Sequence, residues 1–152
     1  MTTIPHYGIQ LVRDGSTRAE SKNVDTAARA AEIARAVIGV GADREHFVVL
    51  LLNARNSVTG SHTVSIGTLT ASLVHPREVF KAAVRSSASA IVCVHNHPSG
   101  DPAPSAPDLH VTRQLREGAR ALDVDFIDHL IIGRPADDPA GRGYFSFREA
   151  GM

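Results

Sequence analysis

The feature that most constrains the fold is a continuous apolar run, Phe47 to Leu52. Such a run is typical of a strand that is covered on both faces of its sheet. Ala90 to Val94 is a second run of this kind, and Phe126 to Ile132 forms a third predicted strand. The longest run is far shorter than the roughly 20 apolar residues of a membrane-spanning helix. We therefore expect a sheet with a buried centre and no membrane partner.

Helical patterns separate these strands. Asp25 is a plausible N-cap for a first helix that ends at Gly39 and Gly41, and its apolar positions recur at helical spacing: Ala30, Ile33 and Val37. Pro76 suits the first position of a second helix. A third helix is predicted from about Ser105 to Leu122. Alternating strands and helices favour a layered α/β (α+β mixed) domain.

A hairpin makes the predicted sheet mixed rather than purely parallel. Asn53 to Ser57 is typical of a turn, and Val58 to Ile66 of its second strand. The loop Arg134 to Gly143 precedes a last short strand, Tyr144 to Phe147. The 152 residues suit one domain. We expect it to span 25–152, after an N-terminal extension, 1–24, in which Tyr7 to Val12 could form one short strand.

Composition excludes some classes of partner and leaves others open. Lys plus Arg and Asp plus Glu number 16 each, so no overall charge attracts nucleic acid or an anionic membrane. The single Cys93 excludes an internal disulfide and fits a reducing compartment. The N-terminus lacks the pattern of a secretory signal. A cytoplasmic protein is expected, of undetermined oligomeric state.

Two histidines flank a single residue where the second buried strand ends. His95 and His97, at positions i and i+2 of an extended segment, project to the same side. Imidazole nitrogen suits zinc, and a catalytic zinc takes three protein ligands and leaves a fourth position for water. Asp108 is the natural third ligand. Together the three residues predict one zinc ion per chain.

Helix geometry supports Asp108, although a second interpretation exists. Asp108 lies three residues before Val111, at the start of a predicted core stripe that continues through Leu115, Gly118 and Leu122. An inward carboxylate without a partner is costly, so a cation is expected beside it. Alternatively, Ser105-x-x-Asp108 is a capping box, a purely structural role. Capping does not exclude ligation.

A hydrolytic zinc site also needs a general base, usually a glutamate near the metal. Glu45 directly precedes the strand Phe47 to Leu52 and could lie at the mouth of the sheet. From the residues alone, other glutamates compete on equal terms: Glu20, Glu32, Glu78 and Glu117.

Polar residues also interrupt the third strand. Asp128 and His129 are either partners of the site or a hydrogen-bonded polar pair at a strand end. Cys93 is interpreted as a small buried apolar residue rather than a ligand.

These residues resemble a known motif. Glu45, then His95-Asn96-His97-Pro98, then Ser105-x-x-Asp108 is similar to the JAMM motif of the JAB/MPN metalloprotease superfamily. Within that superfamily the chain most resembles the bacterial RadC-like proteins. The matching stretches cover most of residues 25 to 148: Arg44 to Phe47, Val64 to Leu69, His75 to Phe80, His95 to Pro102 and Asp128 to Gly133.

The resemblance implies an MPN-type fold, a curved mixed sheet flanked by helices, and a role for each motif residue. His95, His97 and Asp108 would bind zinc, Glu45 would be the acid/base that activates a water on the metal, and Ser105 would bind the oxyanion. The superfamily's enzymes cleave peptide or isopeptide bonds, so a peptide or an isopeptide-linked protein is the expected substrate.

Other functions stay open at this stage. The main alternative is a non-catalytic metal-binding interaction module, or the DNA-repair-associated module that the RadC label suggests. Full-length RadC proteins resemble fusions with a preceding helix-hairpin-helix segment, and about 24 residues before the first helix are too few for one. DNA is therefore expected as a partner by family label only. A non-haem iron site ranks below zinc, and a zinc deaminase is disfavoured because its motifs are missing.

Overall fold

The computed structural model describes residues 1–39, 41–67 and 74–152. Its helices and strands follow one another in this order: α1 Ala27–Ile38, β1 His46–Leu52, β2 Val58–Ile66, α2 Pro76–Arg85, β3 Ala90–Asn96, α3 Ala106–Ala121, β4 Asp125–Ile132 and β5 Tyr144–Ser146, with a short 3-10 helix at Pro135–Asp137. Thr68 and Leu69, the end of one motif stretch, lie outside the described residues.

The five strands form one mixed sheet in the order β2-β1-β3-β4-β5. The pair β3–β4 is parallel, and the other neighbours are antiparallel. The predicted fold class, a mixed α/β domain with a central sheet flanked by helices, is confirmed. No helix within the described ranges is long and apolar enough to span a bilayer.

Both faces of the sheet are covered, as the apolar runs predict. Because side chains alternate along a strand, β1 and β3 each contribute to two cores. One core lies between the sheet and helices α2 and α3, and includes Phe47, Ile91, Cys93, Val111 and Leu115. The other lies under α1, and includes Ala31, Leu50, Val92, Val94 and Leu130. Cys93 is fully buried, as predicted for a small apolar residue, and burial raises the pKa of its thiol.

Two helix starts show how local caps decide boundaries. Helix α1 is capped by Thr26, whose side chain accepts from the Arg29 N–H at 3.2 Å. The prediction of Asp25 as N-cap is wrong, because Asp25 lies one residue earlier and instead pairs with the Arg29 side chain. Helix α2 begins at Pro76, as predicted, with His75 as its cap.

The predicted stripe of α3 is correct at its start and wrong at its end. Val111 and Leu115 are buried, and Gly118 packs against the Phe80 ring. Leu122 is 47% exposed because it is the C-cap, beyond the last helical turn, and Ala119 is buried instead.

The possible strand at Tyr7 to Val12 is not formed. Residues 1–20 are exposed and lie along no neighbouring strand of the described chain. Pairing with the domain begins just afterwards, where the Lys22 carbonyl accepts from Val58 N–H and Val24 N–H donates to the Asn56 carbonyl. A strand needs a partner for its backbone groups, and the sequence pattern of one segment does not supply it.

Candidate metal centre

The site lies where the end of β3 meets the first turn of α3. His95 and Asn96 belong to β3 itself, which continues two residues beyond the predicted end at Val94. His97 follows directly, and its N–H donates to the Ile132 carbonyl at the end of β4. The loop after His97 then leads to Ser105, the N-cap of α3.

Three side chains converge there at hydrogen-bond distance. The Nε2 atoms of His95 and His97 are 3.1 Å apart. Asp108 places Oδ1 3.2 Å from the Nε2 of His95 and Oδ2 3.2 Å from that of His97. A tetrahedral ion with bonds of about 2.0–2.1 Å separates its ligand atoms by about 3.3 Å. The residues therefore fit a metal ion, and two imidazoles with a carboxylate form a donor set that zinc accepts.

Electrostatics place a negative charge inside this cluster. Burial lowers the pKa of His95, although the hydrogen bond to Asp108 opposes it. Burial also lowers the pKa of His97, but the bonds to Asp108 and to the Asp101 carbonyl outweigh it and raise the pKa overall. Burial raises the pKa of Asp108, and the hydrogen bonds from the two histidines more than reverse this, so its pKa is well below the usual range. Asp108 is therefore ionised and supplies negative charge.

The capping box at the start of α3 is present. Asp108 N–H donates to Ser105 Oγ at 3.2 Å, and Ser105 N–H donates to Asp108 Oδ2 at 2.8 Å. The two interpretations of Asp108 are compatible, because its carboxylate caps the helix and faces the histidines at once. Ser105 Oγ accepts in this cap, so the cap does not use its hydroxyl hydrogen.

Glu45 lies immediately before β1 and is half-buried. Phe47, two residues later, is paired with His95 across the sheet. The Glu45 charge slightly opposes the burial that lowers the pKa of His95, and it adds slightly to the raised pKa of His97. The competing glutamates are placed differently. Glu78 pairs with Lys81, and the others are exposed: Glu20, Glu32 and Glu117.

Asn96 is a residue of the site that sequence reasoning missed. Its Oδ1 accepts from His46 N–H at 2.7 Å, and its Nδ2 donates to the Arg44 carbonyl at 3.0 Å. The buried amide therefore holds the backbone on both sides of Glu45. The available signal was an amide at the end of an apolar strand, since buried polar groups require partners.

Asp128 and His129 lie inside β4 rather than at its end, and the His129 backbone N–H donates to Asp128 Oδ1 at 2.7 Å. They project to opposite faces of β4. Asp128 accepts from Ser146 Oγ at 2.5 Å and from Arg148 N–H at 3.0 Å, and so holds the turn after β5. Burial raises the pKa of this carboxyl. His129 instead lies behind the metal-binding residues, with Nε2 2.8 Å from His95 Nδ1.

The loop after His97 is fastened by Arg134. The guanidinium donates to the carbonyls of Pro98 and Ser99 at 3.2 and 2.8 Å, and Asp137 accepts from its Nε at 2.7 Å. Ser99 is exposed, and its Oγ accepts from the Asp101 N–H, which shapes the loop.

A sequence profile described as a RadC-like JAB domain matches residues 24–152. The chain belongs to this family. The relatives of the RadC-like JAB domain include a UPF0758 protein from Symbiobacterium thermophilum, 53% identical over 108 residues, which are 71% of this chain and 43% of that protein. Another, from Rubrobacter xylanophilus, is 50% identical over 110 residues, 72% of this chain and 45% of that protein.

A third UPF0758 protein, from Desulforamulus reducens, is 55% identical over 91 residues, 60% of this chain and 40% of that protein. The matched part of this RadC-like JAB domain thus corresponds to less than half the length of these curated relatives. Within it, the described residues form one His-His-Asp cluster able to hold a metal ion.

Proposed function

We propose that the protein is a zinc-dependent hydrolase of the JAMM type that cleaves peptide or isopeptide bonds. The observation that carries the proposal is the convergence of His95, His97 and Asp108 within 4.8 Å, in a chain of the RadC-like JAB family. The charge of Glu45, which acts on both histidines, supports a general base beside this cluster.

Each residue has a distinct task in this reaction. His95, His97 and Asp108 would hold zinc, which would lower the pKa of a water molecule and polarise the scissile carbonyl. Glu45 takes a proton from that water as the new C–O bond forms. It then delivers the proton to the amine as the C–N bond breaks. Ser105 donates its hydroxyl hydrogen to the carbonyl oxygen as negative charge develops there.

Metal analysis tests the ligand assignments. Wild-type protein loaded with zinc is expected to retain one ion per chain after desalting. His97→Ala and Asp108→Ala should lose it, whereas Glu45→Gln should retain it because Glu45 is assigned to proton transfer. A wild-type protein that retains no metal after loading would contradict the site, and retention of another metal in preference would contradict zinc.

Hydrolysis assays test the reaction. A panel of peptides and isopeptide-linked proteins should include substrates that the wild type cleaves and Glu45→Gln does not. Glu117→Gln, the same change at an exposed position on α3, is the matched control and should cleave normally. Cleavage by Glu45→Gln at the wild-type rate would refute the assignment of the base. A zinc-loaded protein that cleaves nothing and captures DNA or a protein would instead favour a binding module.

A further inference from the structure

The Nδ1 atom of His95 faces another histidine rather than a carbonyl group. A histidine that binds metal through Nε2 must carry its proton on Nδ1, and the partner of Nδ1 sets this tautomer. In His97 one contact is enough to set the tautomer, because Nδ1 lies 2.9 Å from the Asp101 carbonyl oxygen, which can only accept a hydrogen bond. In His95 the partner is the Nε2 of His129, at 2.8 Å, which can either accept or donate.

The hydrogen-bond chain continues beyond His129 to a backbone carbonyl, which can only accept a hydrogen bond. His129 Nδ1 is 2.6 Å from the Thr112 hydroxyl, and that hydroxyl is 2.8 Å from the Asp108 carbonyl oxygen. A carbonyl only accepts, and a hydroxyl has one hydrogen to donate. When Thr112 donates to the carbonyl, its oxygen must accept from His129 Nδ1–H.

The direction of these hydrogen bonds determines which nitrogen of His95 carries the hydrogen. With its hydrogen on Nδ1, the neutral ring of His129 presents a bare Nε2 that accepts from His95 Nδ1–H. The Nε2 of His95 then has no hydrogen and directs its lone pair toward His97 and Asp108. In the reverse direction, Thr112 donates to His129, and His95 directs an N–H into the site, where it cannot bind a cation.

The surroundings hold this chain in place. His129 and Thr112 are buried, with 0% and 2% of their surfaces exposed. The His129 ring stacks on Phe147, with centroids 4.9 Å apart and planes 7° apart, and lies 5.6 Å from the Phe47 ring. The aromatic contacts keep the two ring nitrogens aligned with Thr112 and His95.

We propose that Thr112 and His129 are positioning residues that select the metal-binding tautomer of His95, with the Asp108 carbonyl as the fixed end of the chain. The proposal rests on the proposed metal site and adds two residues to it. Asp108 acts twice in this arrangement, through its carboxylate toward the cation and through its backbone carbonyl toward the hydrogen-bond chain.

Zinc affinity, measured by competition with a chromogenic chelator, gives one test. Thr112→Val removes the hydroxyl at nearly constant volume and leaves His129 Nδ1 without its acceptor. We expect its zinc affinity to fall about 10- to 100-fold, as is typical when an outer partner of a metal ligand is lost. Thr112→Ser keeps the hydroxyl and should restore most of the affinity.

The matched control is Thr59→Val, because Thr59 on β2 also donates its hydroxyl to a backbone carbonyl, that of Leu51. Its zinc affinity should equal that of the wild type. A Thr112→Val affinity within about threefold of wild type, in a protein that binds zinc, would overturn the proposal.

Long-range ¹H–¹⁵N spectra of the histidine rings give a second test that needs no variant. In zinc-loaded wild-type protein, where the cation lies between His95 Nε2 and the Asp108 carboxylate, both His95 and His129 are expected to carry hydrogen on Nδ1. Hydrogen on Nε2 of His129 would overturn the proposal. A wild type without zinc affinity would instead refute the proposed function, on which this arrangement rests.

Discussion

Gly133 lies so close to Gly100 that a Cβ atom on Gly133 would come within 2.1 Å of the Gly100 carbonyl oxygen. The same carbonyl accepts from Arg134 N–H at 2.7 Å. Gly133 directly follows β4, and Gly100 belongs to the loop that leaves His97. The close contact therefore sets the position of this loop against the end of the central sheet.

Gly133→Ala should displace the loop, because the added methyl group overlaps backbone atoms that cannot rotate away. We expect a loss of about 1–3 kcal/mol in the free energy of unfolding, as for overpacked sites, together with weaker zinc binding. Gly60→Ala is the control, since its Cβ would meet only the Leu51 side chain at 3.8 Å. Urea unfolding of both variants checks this, and equal stabilities would show that the contact is easily relieved.

Asn96→Leu should separate metal binding from turnover. The change leaves His46 N–H and the Arg44 carbonyl without their partner, so the backbone around Glu45 should shift. Because misplacement of about 1 Å can cost about 100-fold in rate, we expect kcat to fall by at least about tenfold while zinc is retained. The readouts are kcat and zinc content on the same sample.

The control for Asn96→Leu is Asn53→Ala, which removes two side-chain hydrogen bonds from the β1–β2 turn. That variant should lose stability but keep its kcat. An unchanged kcat in zinc-loaded Asn96→Leu would show that the amide does not position Glu45.

Asp108→Asn should preserve helix α3 and lose the metal. The amide oxygen can still accept from Ser105 N–H, but the negative charge is gone. We expect zinc affinity to fall more than about 100-fold, beyond the effect of losing an outer partner. Asp138→Asn changes a carboxylate that also accepts backbone N–H groups, in the loop before β5, and is the control. Equal affinities in the two variants would contradict the ligand assignment.

The stability of the metal-free protein should depend on pH through His129. Burial holds the pKa of His129 well below its ordinary value of 6.5, so the folded ring stays neutral while the unfolded chain binds a proton. Stability from this group is therefore lost as the pH falls below about 6.5. The loss is at most about 1.4 kcal/mol per pH unit for one proton. The raised pKa of His97 acts in the opposite direction.

The difference between variants isolates the His129 contribution. Urea unfolding in the presence of a chelator at pH 7.5, 6.5 and 5.5 should show a smaller loss for His129→Gln than for the wild type. His62→Gln, a change at an exposed histidine of β2, should follow the wild type. Parallel curves for all three proteins would mean that His129 protonates equally well in the folded state.

Local patterns predicted the parts of the fold that local physics determines. The apolar run Phe47 to Leu52 needs burial on both faces wherever it lies, and Pro76 and Ser105 begin helices through contacts within a few residues. Tyr7 to Val12 failed as a strand because pairing requires a distant partner. Leu122 failed as a core residue because the helix stops one residue before it.

In the candidate site, too, some residues could be predicted from local spacing and others depend on the pairing of distant strands. The i, i+2 spacing alone predicted that His95 and His97 project to one side. The apolar stripe of α3 predicted that Asp108 faces inward. The placement of Glu45 depends on the antiparallel register of β1 and β3, and that of His129 on the parallel register of β3 and β4. Such registers join residues far apart in the chain. The sequence therefore could not show which glutamate lies near the metal-binding residues, or that Asp128 and His129 contact different parts of the structure.

The capping box at Ser105 and Asp108 has a consequence for ion selectivity. The carboxylate is ordered by the helix itself, so little side-chain entropy remains to be lost when a cation arrives. The two Nε2 atoms are 3.1 Å apart, and each lies 3.2 Å from a different oxygen of this carboxylate, a spacing that suits bonds near 2 Å. Calcium, with bonds of about 2.3–2.6 Å and six to eight oxygen ligands, would have to deform the start of α3. We therefore expect the capped start of α3 to favour an ion of about the size of zinc over calcium.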